Sequence, residues 1–323
     1  MKAMVRDTYR PPDGLELIEI DKPVVGDDDV LVRVHAAGVD QGVWHLVTGL
    51  PYLLRIAGFG LRRPKNRVPG LDVAGRVEAV GRNVIRFQAG DEAFGTCEGS
   101  YAEYARARQD KLAPKPANVT FEQAAAVPTS AFAALQGLRR AAKVQAGQKV
   151  LVIGAGGGVG TFAVQLAKAF GADVTGVCST KKTDLVRSIG ADDVIDYTRE
   201  DFADRPRRYD LILDIAGGRS LSHLRRALDP RGTLVIVGSE RGGRWAQGVD
   251  RALRAAMLSP FVSQKLRMLV STENEEDLQL LGKLIEGGKI TPVLDRTFSL
   301  SEVPEAIEYL RGGHACGKVV VTV

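Results

Sequence analysis

The chain has few residues able to cross-link or bind metal: among 323 residues there are three cysteines and four histidines. Cys97, Cys178 and Cys316 are far apart and odd in number, which excludes a disulfide framework or a C-x-x-C site. A reducing, cytoplasmic setting is the expectation. The histidines form neither H-E-x-x-H nor a closely spaced pair. Long apolar runs are also missing, so no membrane span is expected, and the start MKAMVRDTYRPPDG has no apolar signal core and reads as mature protein. Nor does charge of one sign dominate. Forty-four Lys and Arg against 39 Asp and Glu leave +5, with the excess scattered except at Arg55, Arg62, Arg63, Lys65 and Arg67. That run reads as a solvated loop rather than a phosphate-tracking groove, which argues against a nucleic-acid partner.

What is present is ordinary for a soluble globular enzyme: 45% hydrophobic and 26% charged residues. The length allows one large domain or two ordinary ones. Residues 1–118 read as β-rich, with alternating runs such as VLVRV (30–34) and GRVEAV (75–80) between turn residues. KLAPKPANVT then reads as a linker, and Thr120-Phe121-Glu122-Gln123 fits a capping box opening a helix over 121–141. Beyond it the period changes. KVLVI (149–153) is followed by Val159, Phe162, Ala163, Leu166, Ala167 and Phe170 at helical spacing, ended by Gly171. Strands at 173–177, 194–196, 209–214 and 233–238 alternate with helices, which predicts an α/β doubly wound parallel sheet over 119–265. Residues 266–323 contain a helix opened by Thr272-x-x-Glu275, another near 302–311, and the terminal strand GKVVVTV.

The turn VLVIGAGGGVG (150–160) lies where a dinucleotide site needs it, between an apolar strand and an amphipathic helix. Its glycines, Gly154, Gly157 and Gly160, follow G-x-x-G-x-x-G rather than G-x-G-x-x-G. Missing side chains there let backbone N–H groups and the positive helix end approach a pyrophosphate. An NAD site normally adds an acid about twenty residues on, for the ribose hydroxyls. Here the second strand ends in CSTKK (178–182), with no acid. Ser179 and the lysines suit a 2′-phosphate instead, which favours NADPH.

These residues, with VRVHAAGV (32–39), PGLDVAGRVEAVG (69–81), FQAGDEAFGTCEGSYAEYA (87–105), AAAVPTSAFAALQGL (124–138), GADDVIDY (190–197) and ALDPRGTLVIVG (227–238), resemble the medium-chain dehydrogenase/reductase superfamily, in its zinc-free quinone-oxidoreductase-like branch. The resemblance implies a GroES-like β-rich domain, a Rossmann domain after it, a C-terminal return to the first domain, an active cleft between the two, and commonly a homodimer. By residue, it places Gly157, Gly158 and Val159 at the pyrophosphate, Ser179, Lys182 and Tyr197 at the 2′-phosphate, and Gly238 with Ser239 near the nicotinamide. Lys318 is either a further cofactor contact or a surface lysine at a strand start. Where zinc relatives carry Cys and Gly-His-Glu, this chain has Asp40 and Gly70-Leu71-Asp72. Asp40, His45 and Asp72 make at best a makeshift trio, so no metal is expected.

Without a Lewis acid to stabilise an alkoxide, the easier reaction is hydride delivery to an electron-poor quinone or α,β-unsaturated carbonyl. Tyr52 is similar to the tyrosine lining the family's quinone pocket; it is either the donor to the substrate oxygen or a packing aromatic. Trp245, in SERGGRWAQG (239–248), covers the substrate or lies on a plain surface loop. Two departures stand beside the reacting ring: Asp40 where relatives usually carry Asn, and Ala133 where they carry Thr. Activity is then reduced or redirected. An alcohol or carbonyl dehydrogenase and a low-turnover NADPH-binding sensor or nucleic-acid binder remain as alternatives.

Overall fold

A computed structural model describes all residues except 57–59 and 239–248. The chain begins with an antiparallel ribbon, β1 (Lys2–Val5) and β2 (Glu16–Glu19). β3 (Asp29–Val39) leads into α1 (Gln41–Thr48) and the single turn α2 (Tyr52–Leu54). Strands β4 (Asp72–Val80), β5 (Glu92–Thr96), β6 (Tyr104–Arg108) and β7 (Leu112–Pro114) follow.

Thr120 then caps α3 (Phe121–Ala125) in the expected box, its side chain accepting from Gln123 while Gln123 reaches back. Such a cap contributes about 1 kcal/mol. The single helix expected over 121–141 is broken, however. Pro128 lacks an N–H, so α4 (Pro128–Gln136) starts afresh there and runs into a π-helical turn at Gly137–Ala142.

The parallel sheet comes next: β8 (Lys149–Ile153), α5 (Gly158–Ala169), β9 (Asp173–Cys178), α6 (Thr183–Ser188), β10 (Asp193–Asp196), β11 (Tyr209–Asp214), α7 (Leu221–Ala227), β12 (Leu228–Ile236), α8 (Val249–Leu258) and β13 (Lys265–Met268). Its order is β10-β9-β8-β11-β12-β13, all neighbours parallel, with the order reversing beside β8. That reversal is where such sheets bind ligands. Phe162, Ala163, Leu166 and Ala167 of α5 are fully buried. Burying a side chain the size of Phe162 is worth about 2–3 kcal/mol.

The chain closes with α9 (Glu275–Glu286), β14 (Leu294–Ser299), α10 (Val303–Arg311) and β15 (Lys318–Thr322). Asn274, not Thr272, caps α9, accepting from the Asp277 N–H at 2.9 Å. Thr272 instead exchanges two hydrogen bonds with Gln136. β14 and β15 join the N-terminal strands in one sheet, β14-β15-β3-β4-β5-β7, with β6 on β3.

Two compact units result: 1–132 with 273–288 and 292–323, and 133–272 with 289–291. The joins fall near 132 and 272 rather than at 118 and 265. α3 packs on β3 and β4 and so stays with the first unit.

Candidate functional site

The nucleotide-binding turn is built by absence of side chains. Gly154 leaves β8 at φ +91°, and the N–H groups of Gly154 and Ala155 both donate to Val177 O at 3.0 Å. At Gly160 a Cβ would come within 2.1 Å of Gly154 O, so only glycine lets α5 start this close to the strand. Gly157 is different: its Cβ would meet nothing nearer than Gly154 O at 3.6 Å, leaving room outside the turn. Gly157 is also the N-cap of α5 and provides no side-chain cap. The N–H groups of Gly158, Val159 and Gly160 lack intrahelical acceptors by geometry. Such an uncapped helix start is suited to an anion.

Lys182 belongs to the same turn. Its Cβ and Cδ lie 2.8 Å from where a Gly156 Cβ would stand, so its stem crosses the glycine run. Gly156 is a site residue that the spacing argument passed over; the signal was present in the extra glycine of GAGGGVG. Ser179 and Tyr197 emerge beside Lys182. β9 and β10 pair with Asp196 opposite Cys178, and the Tyr197 N–H donates to Cys178 O at 3.1 Å. Tyr197 keeps half its surface exposed. Asp196 also ends here, but it faces inward: it accepts from Thr180 Oγ1 at 2.5 Å and from Thr198 N and Oγ1 at 3.0 and 2.8 Å, with Arg199 at 3.5 Å. The Thr180 hydrogen bond first, then those from Thr198, hold its carboxyl below the ordinary range. Ser179, Lys182 and Tyr197 thus follow the adjoining ends of β9 and β10, where the Asp196 carboxylate is taken up by its own neighbours.

Further along the edge, Gly238 follows β12, and its N–H reaches Asp214 O at 3.4 Å. Ser239 and Trp245 lie outside the described residues. Asp214, at the end of β11, was not singled out from sequence. It is fully buried, accepts from the Gly217 N–H at 3.2 Å and pairs with Arg251. Burial raises its pKa, and the Arg251 charge opposes that.

In the β-rich unit, Asp40 caps α1. Its Oδ1 accepts from the Val43 N–H at 3.3 Å, while Oδ2 is buried and meets no donor among the described residues. His45 donates Nδ1–H to Leu50 O at 2.6 Å, and burial lowers its pKa: it is a packed histidine. Tyr52 lies under the Arg55 guanidinium, 4.9 Å from the ring centre. Asp72, at the head of β4, is wholly buried and accepts from Thr129 N at 3.1 Å and Thr129 Oγ1 at 2.6 Å. Lys318 overturns one of the two expectations for it. Only 2% exposed, its Nζ donates to Ser130 Oγ at 3.1 Å and lies 3.7 Å from Asp72 Oδ2. It is no surface lysine, and its ammonium is directed at partners within its own unit. Burial lifts Asp72 to about 7, with Lys318 pulling the other way and Asp40 adding to the rise.

The described geometry has known counterparts. Residues 26–117 match the family described as alcohol dehydrogenase GroES-like domain, and residues 189–321 match zinc-binding dehydrogenase. A 2-methylene-furan-3-one reductase of Solanum lycopersicum is 34% identical over 99% of this chain and 79% of its own length. An NADPH-dependent alkenal/one oxidoreductase of Arabidopsis thaliana is 36% identical, also over 99% of this chain and 79% of its own. The chain belongs to the medium-chain dehydrogenase/reductase superfamily. Among solved structures, the quinone oxidoreductase of Coxiella burnetii matches at a TM-score of 0.86, with 30% identity, over 100% of this chain and 99% of that one.

The zinc in one matched family's description can be tested on this member of the superfamily. Among the described residues no three His, Cys, Asp or Glu side chains stand together as a metal would need. The makeshift trio has other commitments: His45 Nδ1 holds Leu50 O, Asp40 caps a helix, and Asp72 is bonded to Thr129 beside Lys318. These residues do not fit zinc.

Proposed function

We propose that this chain is an NADPH-dependent, zinc-free reductase of quinones or α,β-unsaturated carbonyls. The observation that carries the reading is the acid-free edge of Ser179, Lys182 and Tyr197 beside the uncapped start of α5. The cofactor that these residues would hold, NADPH, would supply the hydride for the electron-poor carbon of the acceptor. The N–H groups of Gly158, Val159 and Gly160 hold the pyrophosphate, with Gly154 and Gly157 shaping the turn. Ser179 and Lys182 hold the 2′-phosphate through charge-assisted hydrogen bonds, with Tyr197 alongside. Gly238, just after β12, borders the nicotinamide. The Tyr52 phenol donates to the carbonyl oxygen as charge gathers on it, and Asp40 acts beside the reacting ring. The names of the tomato and Arabidopsis relatives support an enone-like acceptor, and that of the Coxiella protein a quinone.

A homodimer fits the exposed apolar side chains Met257, Phe261, Met268 and Val270, which gather near the open sheet edge at β13. Size-exclusion chromatography with light scattering should give twice the chain mass. The free cysteines support a reducing compartment, the cytoplasm. Among the described residues no helix is long and apolar enough to cross a membrane.

The test of the activity is NADPH oxidation followed at 340 nm with 1,4-naphthoquinone and with trans-2-nonenal, each with and without a chelator. Turnover with either acceptor that resists the chelator is expected. Chelator-sensitive alcohol oxidation, or NADPH binding with no turnover on either acceptor, would overturn the reading.

A further inference from the structure

The β-rich unit contains a cavity of about 820 Å³ whose lining includes neither Asp40 nor Tyr52. It opens between the β1–β2 ribbon, the segment leading into β4, and β6. Its wall carries Arg6, which follows β1 directly and donates its backbone N–H to Arg67 O at 3.0 Å. Arg6 is only 5% exposed, and among the described residues its Nε and Nη1 meet no hydrogen-bond acceptor. A buried guanidinium normally has a paired anion, because leaving it alone costs several hydrogen bonds and a desolvated charge.

The nearby acids do not fill that role. Asp7 is held by Arg67 Nε at 2.6 Å. Asp21 and Glu98 line the cavity, yet neither forms an ion pair with Arg6. Burial without a counter-ion lowers the Arg6 pKa to about 10, partly offset by Tyr9, so the group is still cationic at neutral pH. Lys65, Arg67 and Arg106 also line it, Arg67 paired with Asp7 and Arg106 lying 3.6 Å from Asp29. The remaining wall is largely apolar, with Ile20, Leu46, Val68 and Leu71. The volume far exceeds that of a lone inorganic ion. A buried, unpaired guanidinium in a largely apolar lining suits an amphiphile with a negative head.

We propose that this cavity is a binding site for a small organic carboxylate with an apolar body, its carboxylate held by Arg6. The site is separate from the redox reading, and its test does not depend on turnover. Octanoate, titrated calorimetrically, should bind saturably at one site per chain, and octanamide, which keeps the shape without the charge, at least about tenfold more weakly. Arg6→Met should weaken octanoate by about tenfold or more, with Arg6→Lys between the two. Far-UV circular dichroism and a cooperative urea melt at the parent's midpoint report that each variant is folded. Val24 lies at the rim and is 82% exposed, so Val24→Asp tests the charge without touching the interior. It should weaken octanoate several-fold at low salt. Absence of octanoate binding, equal binding of octanamide, or binding that survives both Arg6→Met and Val24→Asp would overturn the proposal. If Arg6→Met does not fold, Val24→Asp decides.

Discussion

At the turn after β8, side chains are removed so that backbone N–H groups can face a ligand; at the head of β4, charged side chains are buried against one another. The first arrangement depends on space, fixed by distances such as the 2.1 Å between Gly154 O and a Gly160 Cβ. The second depends on charge, through Asp72, Lys318 and the orphaned Oδ2 of Asp40. A change at the turn should therefore act through sterics and ignore pH. A change in the cluster should depend strongly on pH.

The largest effect is expected within the turn, where two glycines separate fold from ligand. Gly160→Ala sets a Cβ against backbone, which no rotamer change relieves, and should destabilise the protein by about 3 kcal/mol. Gly157→Ala meets nothing closer than 3.6 Å and has an ordinary φ of −99°. Its stability should stay within about 0.5 kcal/mol of the parent. The new methyl group nonetheless projects toward the uncapped helix start, so NADPH affinity should fall about tenfold or more. Urea melts and fluorescence titration with NADPH separate the two. If both variants lose stability equally, the open space at Gly157 is not a ligand space.

Next comes the charged cluster. Asp72 has a folded pKa of about 7 against an ordinary 3.8. Its contribution to stability is thus full below about pH 4 and is lost as pH rises through about 7. Lys318→Met removes the cation that opposes that loss. Above pH 7 the variant keeps Asp72 protonated instead, at a cost that grows by about 1.4 kcal/mol for each pH unit above 7. Below pH 6 Asp72 is neutral in the folded state, and the cost should shrink toward zero. Denaturant melts at pH 5.5 and pH 8 measure the difference; a pH-independent loss would mean that packing, not charge, sets the role of Lys318.

The same contrast explains what the sequence could reveal. Glycine spacing, strand–helix alternation and the CSTKK end are local, and each carries its geometry with it. The parallel sheet and the Thr120 capping box were therefore legible. Lys318 and Asp72 are 246 positions apart, and only the closing of β15 onto β3, with β4 on the other side, brings them together. A lysine at a strand start reads as solvent-facing because burial is a tertiary property. Asp214 with Arg251, and Arg6 with its unfilled donors, were hidden for the same reason. Thr272 was a misreading of a different kind: Thr-x-x-Glu and Asn274 competed for one helix start, and Asn274 lies directly before it.

A smaller effect tests which phosphate the turn recognises. Lys182→Ala should weaken NADPH by about ten- to a hundredfold, the range of charge-assisted contacts, and leave NADH nearly unchanged. Losing the stem over Gly156 affects both cofactors slightly. Equal losses for NADPH and NADH would remove Lys182 from the 2′-phosphate site and reduce its role to packing on the turn.

The smallest effect on stability, and the finest on chemistry, is expected at Asp40. Asn caps a helix as well as Asp does, so Asp40→Asn should keep the hydrogen bond to Val43 N and stay within about 0.5 kcal/mol of the parent. Asp40→Ala loses that cap and should cost about 1 kcal/mol. The substitution to Asn preserves shape and cap while exchanging the carboxyl for an amide, so a kinetic change reports the chemistry of that group rather than the fold. With naphthoquinone as acceptor, kcat should shift several-fold in Asp40→Asn while NADPH affinity holds. An unchanged kcat in Asp40→Asn, beside a loss in Asp40→Ala, would make Asp40 a structural cap whose departure from asparagine has no chemical consequence.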